Sequence, residues 1–348
     1  MIASWYAIIA LMLVVFAVFE GWDFGVGAAY FLVARTPAER RQVVAAIGPL
    51  WVWHEVWLVA AGGVLLMAFP AVMATAFSGF YIALYLVLWC LLLRGMALEF
   101  GGHLTDGMWR DFWDVVLSAS SVLLALLFGV AFGNLIRGIP LDQDAHFALA
   151  LFTDFSPVGD VGILDWYTVS VGVLTVVLLS AHGASYLTLR TSELVQQRSQ
   201  RLSRWLWTLV VLLLALVTWE TRTVRPELFG AALGRPLVWL ATLLVAGGAT
   251  ALVVGDRRRR AALHFLGSAL VIVGLVGGAF AALFPDLLHS TLDARYSMTA
   301  TNSAADAHGL ALALIWWPIA LVATIGYALV NIRAYAGKVG PDAEGANL

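Results

Sequence analysis

Residues 5–33 read WYAIIALMLVVFAVFEGWDFGVGAAYFLV. The run exceeds the about 20 apolar residues that carry a helix through the hydrocarbon of a bilayer. Only Glu20 and Asp23 interrupt it with charge. A cleavable leader would open on a basic segment and carry a shorter apolar core. Met1–Ser4 has no basic residue, so the segment reads as a true transmembrane helix. Working outward, eight more runs of this kind follow. The spans lie near Trp5–Val33, Leu50–Phe69, Ala76–Leu98, Phe112–Ile136, Leu164–Leu189, Leu202–Thr221, Pro236–Val254, Ala262–Phe284 and Ala307–Tyr335. The fold class is therefore all-α integral membrane, with nine transmembrane helices in a single polytopic membrane domain over residues 1–348.

Composition agrees. Of 348 residues, 61% are hydrophobic and 12% charged, about half the charged share of a soluble domain. The single cysteine, Cys90, excludes a disulfide framework, a Cys-ligated cluster and covalent c-type haem attachment. No basic stretch interleaved with aromatics points to nucleic acid. The net charge of −2 names no partner.

Orientation follows from arginine and lysine placement. With the N-terminus outside, fifteen basic residues fall on the cytoplasmic side and five outside. The cytoplasmic set includes Arg35, Arg40 and Arg41, Arg94 and Arg110, Arg190 to Arg204, and Arg257 to Arg260. The expectation is N-out and C-in. The acids Asp142, Asp144, Asp154, Asp160 and Asp165 then lie in an outside loop. No internal repeat is visible.

Carboxylates within spans are costly and mark function by default. Glu20 and Asp23 stand three residues apart, so both face one way. By rise alone Glu20 lies roughly 21 Å from Arg35, near mid-membrane. Two readings compete: packing acids held by Trp N–H groups or a partner, or a pair that holds and passes protons. The second span opens GPLWVWHEVW over residues 48–57. Its His54 and Glu55 point about 100° apart and are no ligand pair; they serve as interfacial polar groups or as proton acceptors. His182 reads as a hydrogen-bonded packing residue more readily than as a haem ligand. His264, at the start of a helix on the basic side, reads as a surface residue. Glu220 is expected to pair with Arg222 or Arg225. No two histidines stand four apart in one helix, so no metal or haem site is assigned to this chain.

The segment GWDFGVG at residues 21–27 resembles the first-helix signature of subunit II of cytochrome bd-type quinol oxidases. Other segments continue the resemblance in order: Glu55-Val56-Trp57 through Gly62-Gly63, Phe69-Pro70, Ala76 to Tyr81, Arg94-Gly95, Gly129 to Asn134, Arg137 to Leu141, His182-Gly183-Ala184, Tyr296 to Thr299 and Gly326-Tyr327. The resemblance implies two four-helix bundles plus one peripheral helix. It implies a multi-pass protein of the bacterial cytoplasmic (inner) membrane, and an enzyme subunit without redox groups of its own. The haem-bearing subunit I would be the obligate partner and would hold haems b and d. Small single-helix accessory subunits, membrane lipid and a structural quinone are compatible with such a complex. The implied reaction oxidises quinol and reduces O2 to water with cytoplasmic protons. Glu20, Asp23, His54 and Glu55 are the residues of this chain expected to deliver them.

One departure stands out. The family pattern W-D-G-N-[EQ]-V-W is here Trp51-Val52-Trp53-His54-Glu55-Val56-Trp57. Val52 replaces an acid, and His54 is expected to stand in for it. Two other readings stay open: a bd-like complex with another electron donor or acceptor, and a secondary transporter. Transporters tend to show inverted repeats and broken helices, which this sequence does not display.

Overall fold

The computed structural model describes residues 1–104 and 106–340. Among them, nine helices are long and apolar enough to cross a membrane. They are α1 (Ile2–Val33), α3 (Trp51–Ala68), α5 (Tyr81–Phe100), α6 (Gly107–Arg137), α7 (Trp166–Arg190), α8 (Glu193–Val224), α10 (Pro236–Arg257), α11 (Ala261–Leu283) and α12 (Ala307–Ala334). Three short helices intervene: α2 (Pro37–Ile47), α4 (Pro70–Gly79) and α9 (Pro226–Leu233). Each short helix begins on a proline, whose fixed φ suits the first helical turn. One small hairpin, β1 (Asp286–Leu288) with β2 (Met298–Thr299), lies in the loop before α12.

The span expected at Ala76–Leu98 is displaced. Helix α4 occupies Pro70–Gly79, the chain breaks at Phe80, and α5 then runs to Phe100. Beside the break, a Cβ at Gly79 would sit 2.0 Å from the Phe147 ring, so a loop residue seats against bare backbone there. The sequence analysis also misses α2. Thr36 caps it through a capping box: its hydroxyl accepts from the Glu39 N–H at 3.3 Å, and Glu39 Oε2 accepts from the Thr36 N–H at 3.0 Å. Arg198 of α8 donates to the same carboxylate at 2.8 Å. Burial pushes the Glu39 pKa up, but the bonds from Arg198, Arg35 and Thr36 outweigh it and hold the group below the ordinary carboxylate range.

Helix α1 is the hub. It packs against α3 and α6 on one side and against α7 and α11 on the other. Its contact with α7 is backbone to backbone. A Cβ at Gly25 would lie 1.8 Å from the Leu179 carbonyl oxygen, and one at Gly183 would lie 2.3 Å from the Gly25 carbonyl carbon. Lipid tails are as apolar as leucine, so close van der Waals packing supplies the association that hydrophobicity cannot. Gly274 of α11 likewise packs inside the chain, against Ala241 and Val245 of α10. Helix α12 is the least buried span, at 6% of its most apolar window. It is tied to α1 where Trp5 Nε1 donates to the Leu310 carbonyl at 3.3 Å.

Three titratable groups sit differently from expectation. Asp165 is buried: it caps α7 through Thr168 and pairs with Arg137, whose Nη2 also donates to Asn134 at 2.7 Å. Glu220 pairs with neither arginine; it accepts from Ser170 at 3.2 Å, and Arg225 turns to Glu227 and Asp286. His264 is 6% exposed and belongs to the interior, because α10 and α11 cross so tightly at Gly255 that its imidazole is drawn between helices.

Two predictions follow from this frame. Gly25→Val should abolish the α1–α7 contact and with it accumulation of folded protein, whereas Gly247→Ala should be tolerated because nothing lies within 4 Å of a Cβ there; membrane accumulation and size exclusion in detergent give the comparison. Asp286 is the second case. Burial pushes its pKa up, but the hydrogen bond and charge of His289 and then Arg225 pull it below the ordinary value. A depressed folded-state pKa stabilises above the unfolded value and is lost as pH falls through the folded one. Hydrogen exchange in residues 286–299 should therefore stay slow above about pH 4 and accelerate below it in wild type, and should be fast at neutral pH in Asp286→Asn.

Candidate functional site

Glu20 and Asp23 are adjacent on one face of α1, as the spacing requires. The face meets α3 and α5. His54 of α3 and Arg94 of α5 enter the same space, and all four side chains are fully buried. His54 Nδ1 lies 2.6 Å from Asp23 Oδ2. An ionised carboxylate only accepts, so Nδ1 carries the proton in that pairing. Arg94 reaches three carboxylates: Glu20 at 3.8 Å, Asp23 at 3.7 Å and Glu55 at 3.9 Å. These are ion-pair distances, longer than hydrogen bonds. Glu55 is the one member that reaches the surface, with 28% of its side chain exposed.

Aromatic rings wall the cluster. Phe19 stacks on His54 at 5.4 Å between centroids, and Trp22 and Trp53 meet it edge-on at 4.9 and 4.2 Å. The Arg94 guanidinium lies 5.1 Å from the centre of the Phe24 ring, a cation–π contact that gains strength where water is excluded. Both Glu20 oxygens, Asp23 Oδ1, His54 Nε2 and all three Arg94 nitrogens have no hydrogen-bond partner within the chain. The site is thus an aromatic-walled cluster of buried titratable groups, most of whose polar atoms have no partner within the chain.

The sequence analysis singles out four of these five residues and counts Arg94 among cytoplasmic loop charges. That placement is corrected: Arg94 lies within α5 and is wholly buried. The available signal was its position inside an apolar run, between Leu93 and Gly95. The expectation that His54 replaces the absent acid at position 52 also meets a geometric difference. Val52 is 59% exposed and faces outward, whereas His54 faces inward. Two residues turn a helix by about 200°, so His54 adds a titratable group on the opposite side.

Glu20, Asp23 and His54 bring ligand-type atoms within 4.8 Å of one another, an arrangement that the sequence spacing does not reveal. Arg94 already supplies the positive charge that a metal ion would bring. The buried imidazoles do not suit a haem. Both nitrogens of His182 are engaged, with Ser268 at 2.7 Å and the Val18 carbonyl at 3.1 Å. Those of His54 are enclosed by Phe19, Trp22 and Trp53.

A bundle of long apolar helices around a buried ionic cluster defines a polytopic α-helical membrane protein with charge held in its interior. The chain belongs to the cytochrome bd terminal oxidase subunit II family, whose model matches residues 1–335. Among relatives, cytochrome bd ubiquinol oxidase subunit 2 of Bacillus subtilis is 31% identical over 88% of this chain and 87% of its own. Cytochrome bd-I ubiquinol oxidase subunit 2 of Escherichia coli K12 is 36% identical over 54% and 48%. A chain of the bd oxidase of Geobacillus thermodenitrificans shares the fold, with a TM-score of 0.74 and 17% identity over 96% of this chain and 98% of that one.

The geometry makes Arg94 the keystone. Arg94→Met should leave buried carboxylates without a counter-charge, a loss of about 3–5 kcal/mol, and the protein should fail to accumulate. The double change Arg94→Met with Glu20→Gln should recover part of it. Fluorescence-detected size exclusion of membrane extracts measures both; equal loss in the single and double variants would show that charge balance is not the cause.

Proposed function

We propose that this chain is the non-haem subunit II of a quinol-oxidising, O2-reducing complex in the bacterial cytoplasmic membrane. In this reading it supports a haem-bearing subunit I and hands it protons. The haems b and d of that partner supply the redox chemistry, and this chain's own residues hold and move protons. The observation that carries the reading is the sealed contact of His54 Nδ1 with Asp23 Oδ2, beside Glu20 and Arg94.

The chain of groups has a direction. Glu55, partly exposed, lies on the flank of an outward stripe of α3 formed by Val52, Val56, Val59 and Gly63. A carboxylate facing lipid is costly, so the partner subunit covers this stripe in the complex. Gly62 and Gly63 suit close helix approach. With N-out topology the start of α3 lies near the cytoplasmic side, where protons are taken up. A proton held between Asp23 and His54 passes within the cluster to Glu20 or Glu55. Arg94 keeps the carboxylates in place and limits how many charges are unbalanced at once.

A secondary transporter is the competing class. The continuous α1, α3 and α5 around the cluster, none broken at mid-span, favour the oxidase subunit over it. Co-purification separates the two: the oxidase reading expects a haem-bearing partner to copurify, and a stable haem-free monomer would speak for the transporter.

Asp23→Asn keeps the size of the side chain and removes its titratable proton. In the assembled complex it should leave haem content intact and slow O2 reduction tenfold or more, a barrier increase of about 1.4 kcal/mol. Unchanged turnover and proton uptake with normal assembly would make Asp23 structural. His54→Leu removes the partner of Asp23 Oδ2 and should slow proton uptake with haem content intact; unchanged uptake would remove His54 from the route.

A further inference from the structure

The turn between α10 and α11 carries four arginines in succession, Arg257 to Arg260, all exposed. Three Cα steps of about 3.8 Å hold them within roughly 11 Å, little more than the screening length of about 8 Å at physiological salt. Asp256, immediately before them, is already taken: it accepts from Arg204 of α8 at 2.8 Å and from Gln200 at 3.2 Å. The same contacts bring the start of α8 to this end of the hairpin, and with it Arg201, exposed and one turn before Arg204. Among the described residues, neither Arg201 nor any of the four hairpin arginines has a side-chain ion pair or hydrogen bond. Five guanidinium groups are therefore gathered with no counter-charge of their own.

The backbone of the turn separates this patch from a plain topology signal. The Arg260 N–H donates to the Gly255 carbonyl at 2.8 Å and the Arg259 N–H to the Asp256 carbonyl at 3.1 Å, the paired bonds that close a helix through a left-handed residue. That residue is Arg259, at φ 52°. Glycine ordinarily fills the position because it has no Cβ to clash. A basic residue that only orients the chain serves anywhere in the turn. An exposed side chain kept on strained backbone points instead to a use for that side chain. The helix faces leading to the turn are apolar and open. On α10, Val253 lies one turn before Arg257; on α11, Leu266 lies in the second turn; both are exposed. On α8, Trp205 follows Arg201 by four residues, on the same face, and is 72% exposed, and Leu209 continues the stripe. Indole is the side chain favoured where headgroups meet hydrocarbon. Cationic groups at the ends of exposed apolar helix faces match the layout of a phospholipid, a charged head above acyl chains.

We propose that Arg201 and Arg257 to Arg260 form a binding site for the phosphate of an anionic phospholipid, in the leaflet that this end of the spans meets, with Trp205, Val253 and Leu266 against its acyl chains. Guanidinium groups hold phosphate oxygens through paired N–H bonds, which suits them to this task better than a point charge. A zwitterionic head brings its own ammonium into the arginine cluster and is repelled, so the site separates anionic from zwitterionic lipids. Free phosphate gains the charge contacts but none of the apolar ones. An acidic protein segment matches the charge and leaves the apolar faces beneath it unexplained. The lipid also has a structural consequence. Helix α8 meets the hairpin here through Arg204 and Gln200 on Asp256 and through Ser203 on His264 at 2.9 Å, and a phosphate shared by Arg201 and the hairpin arginines adds a tie across the same junction. The site shares no residue with the Glu20 cluster and does not depend on the proton-supplying reading.

The test uses the protein purified in mild detergent with the subunits that accompany it. Native mass spectrometry follows bound lipid as palmitoyl-oleoyl phosphatidylglycerol, phosphatidylcholine with the same chains, or inorganic phosphate is added. Phosphatidylglycerol should bind about tenfold or more tightly than phosphatidylcholine, lose affinity as salt rises, and resist displacement by millimolar phosphate. Changing Arg257, Arg258, Arg259 and Arg260 together to Gln should weaken phosphatidylglycerol about tenfold or more and leave phosphatidylcholine unchanged. Arg259→Gly relieves the backbone and removes one charge. It should raise thermal stability in lipid-free detergent while lowering phosphatidylglycerol affinity about fivefold, a split that a purely structural arginine would not give. Equal affinity for the two lipids overturns the site, as does phosphatidylglycerol affinity within about twofold of the parent in both variants. Displacement by phosphate would reduce it to a free-anion site and overturn the lipid assignment. Loss of an accompanying subunit with phosphatidylglycerol affinity intact would give the patch to an acidic protein surface and overturn it likewise. If the fourfold variant does not accumulate, Arg259→Gly and Arg201→Gln, each alone, decide by the same measure.

Discussion

One guanidinium shared among three carboxylates governs the interior of this protein. Arg94 lies within 3.9 Å of Glu20, Asp23 and Glu55. Each charge alone would cost several kcal/mol to hold away from water. Together, with His54 on Asp23 and the Phe24 ring under the guanidinium, they offset one another. The consequence is geometric. Helices α1, α3 and α5 must meet at this height and rotation, because any other register buries a bare charge. The aromatic wall of Phe19, Trp22, Trp53 and Trp57 follows from the same constraint, since a low-dielectric lining strengthens the ion pairs it encloses.

The second constraint is steric and sits on the opposite face of α1. Gly25 and Gly183 bring α1 and α7 into backbone contact. This positions His182 against Val18 and joins the half of the chain that holds the ionic cluster to the half that holds His182 and Ser268. Helix α1 is thus the partition between two polar interiors in a protein that is otherwise apolar.

Membership in the cytochrome bd subunit II family accounts for the order of motifs along the chain, and the start of α3 shows where this member differs. The outward Val52 and the inward His54 change opposite faces of one helix. The change at position 52 alters the outward face of α3, while the imidazole at position 54 alters what meets Asp23. The two changes are separable in space, which the linear pattern conceals.

Much of the fold was legible in the sequence. Nine apolar runs gave nine spans because a bilayer demands about 20 apolar residues from any helix that crosses it, a rule that acts on each segment alone. Glu20 and Asp23 stood out for the same reason: a charge within such a run is visible without knowing its neighbours. What the sequence did not reveal depends on groups distant in the chain. The bare backbone of Gly79 is where Phe147 seats, and His264 is interior because α10 and α11 cross closely at Gly255. Arg94 reads as one more basic residue until α5 brings it to α1. The buried titratable residues were visible in the sequence through the cost of a charge in lipid. Which of them meet was decided by tertiary structure alone, because hydrogen bonds and ion pairs depend on distances that no linear spacing across separate helices can fix.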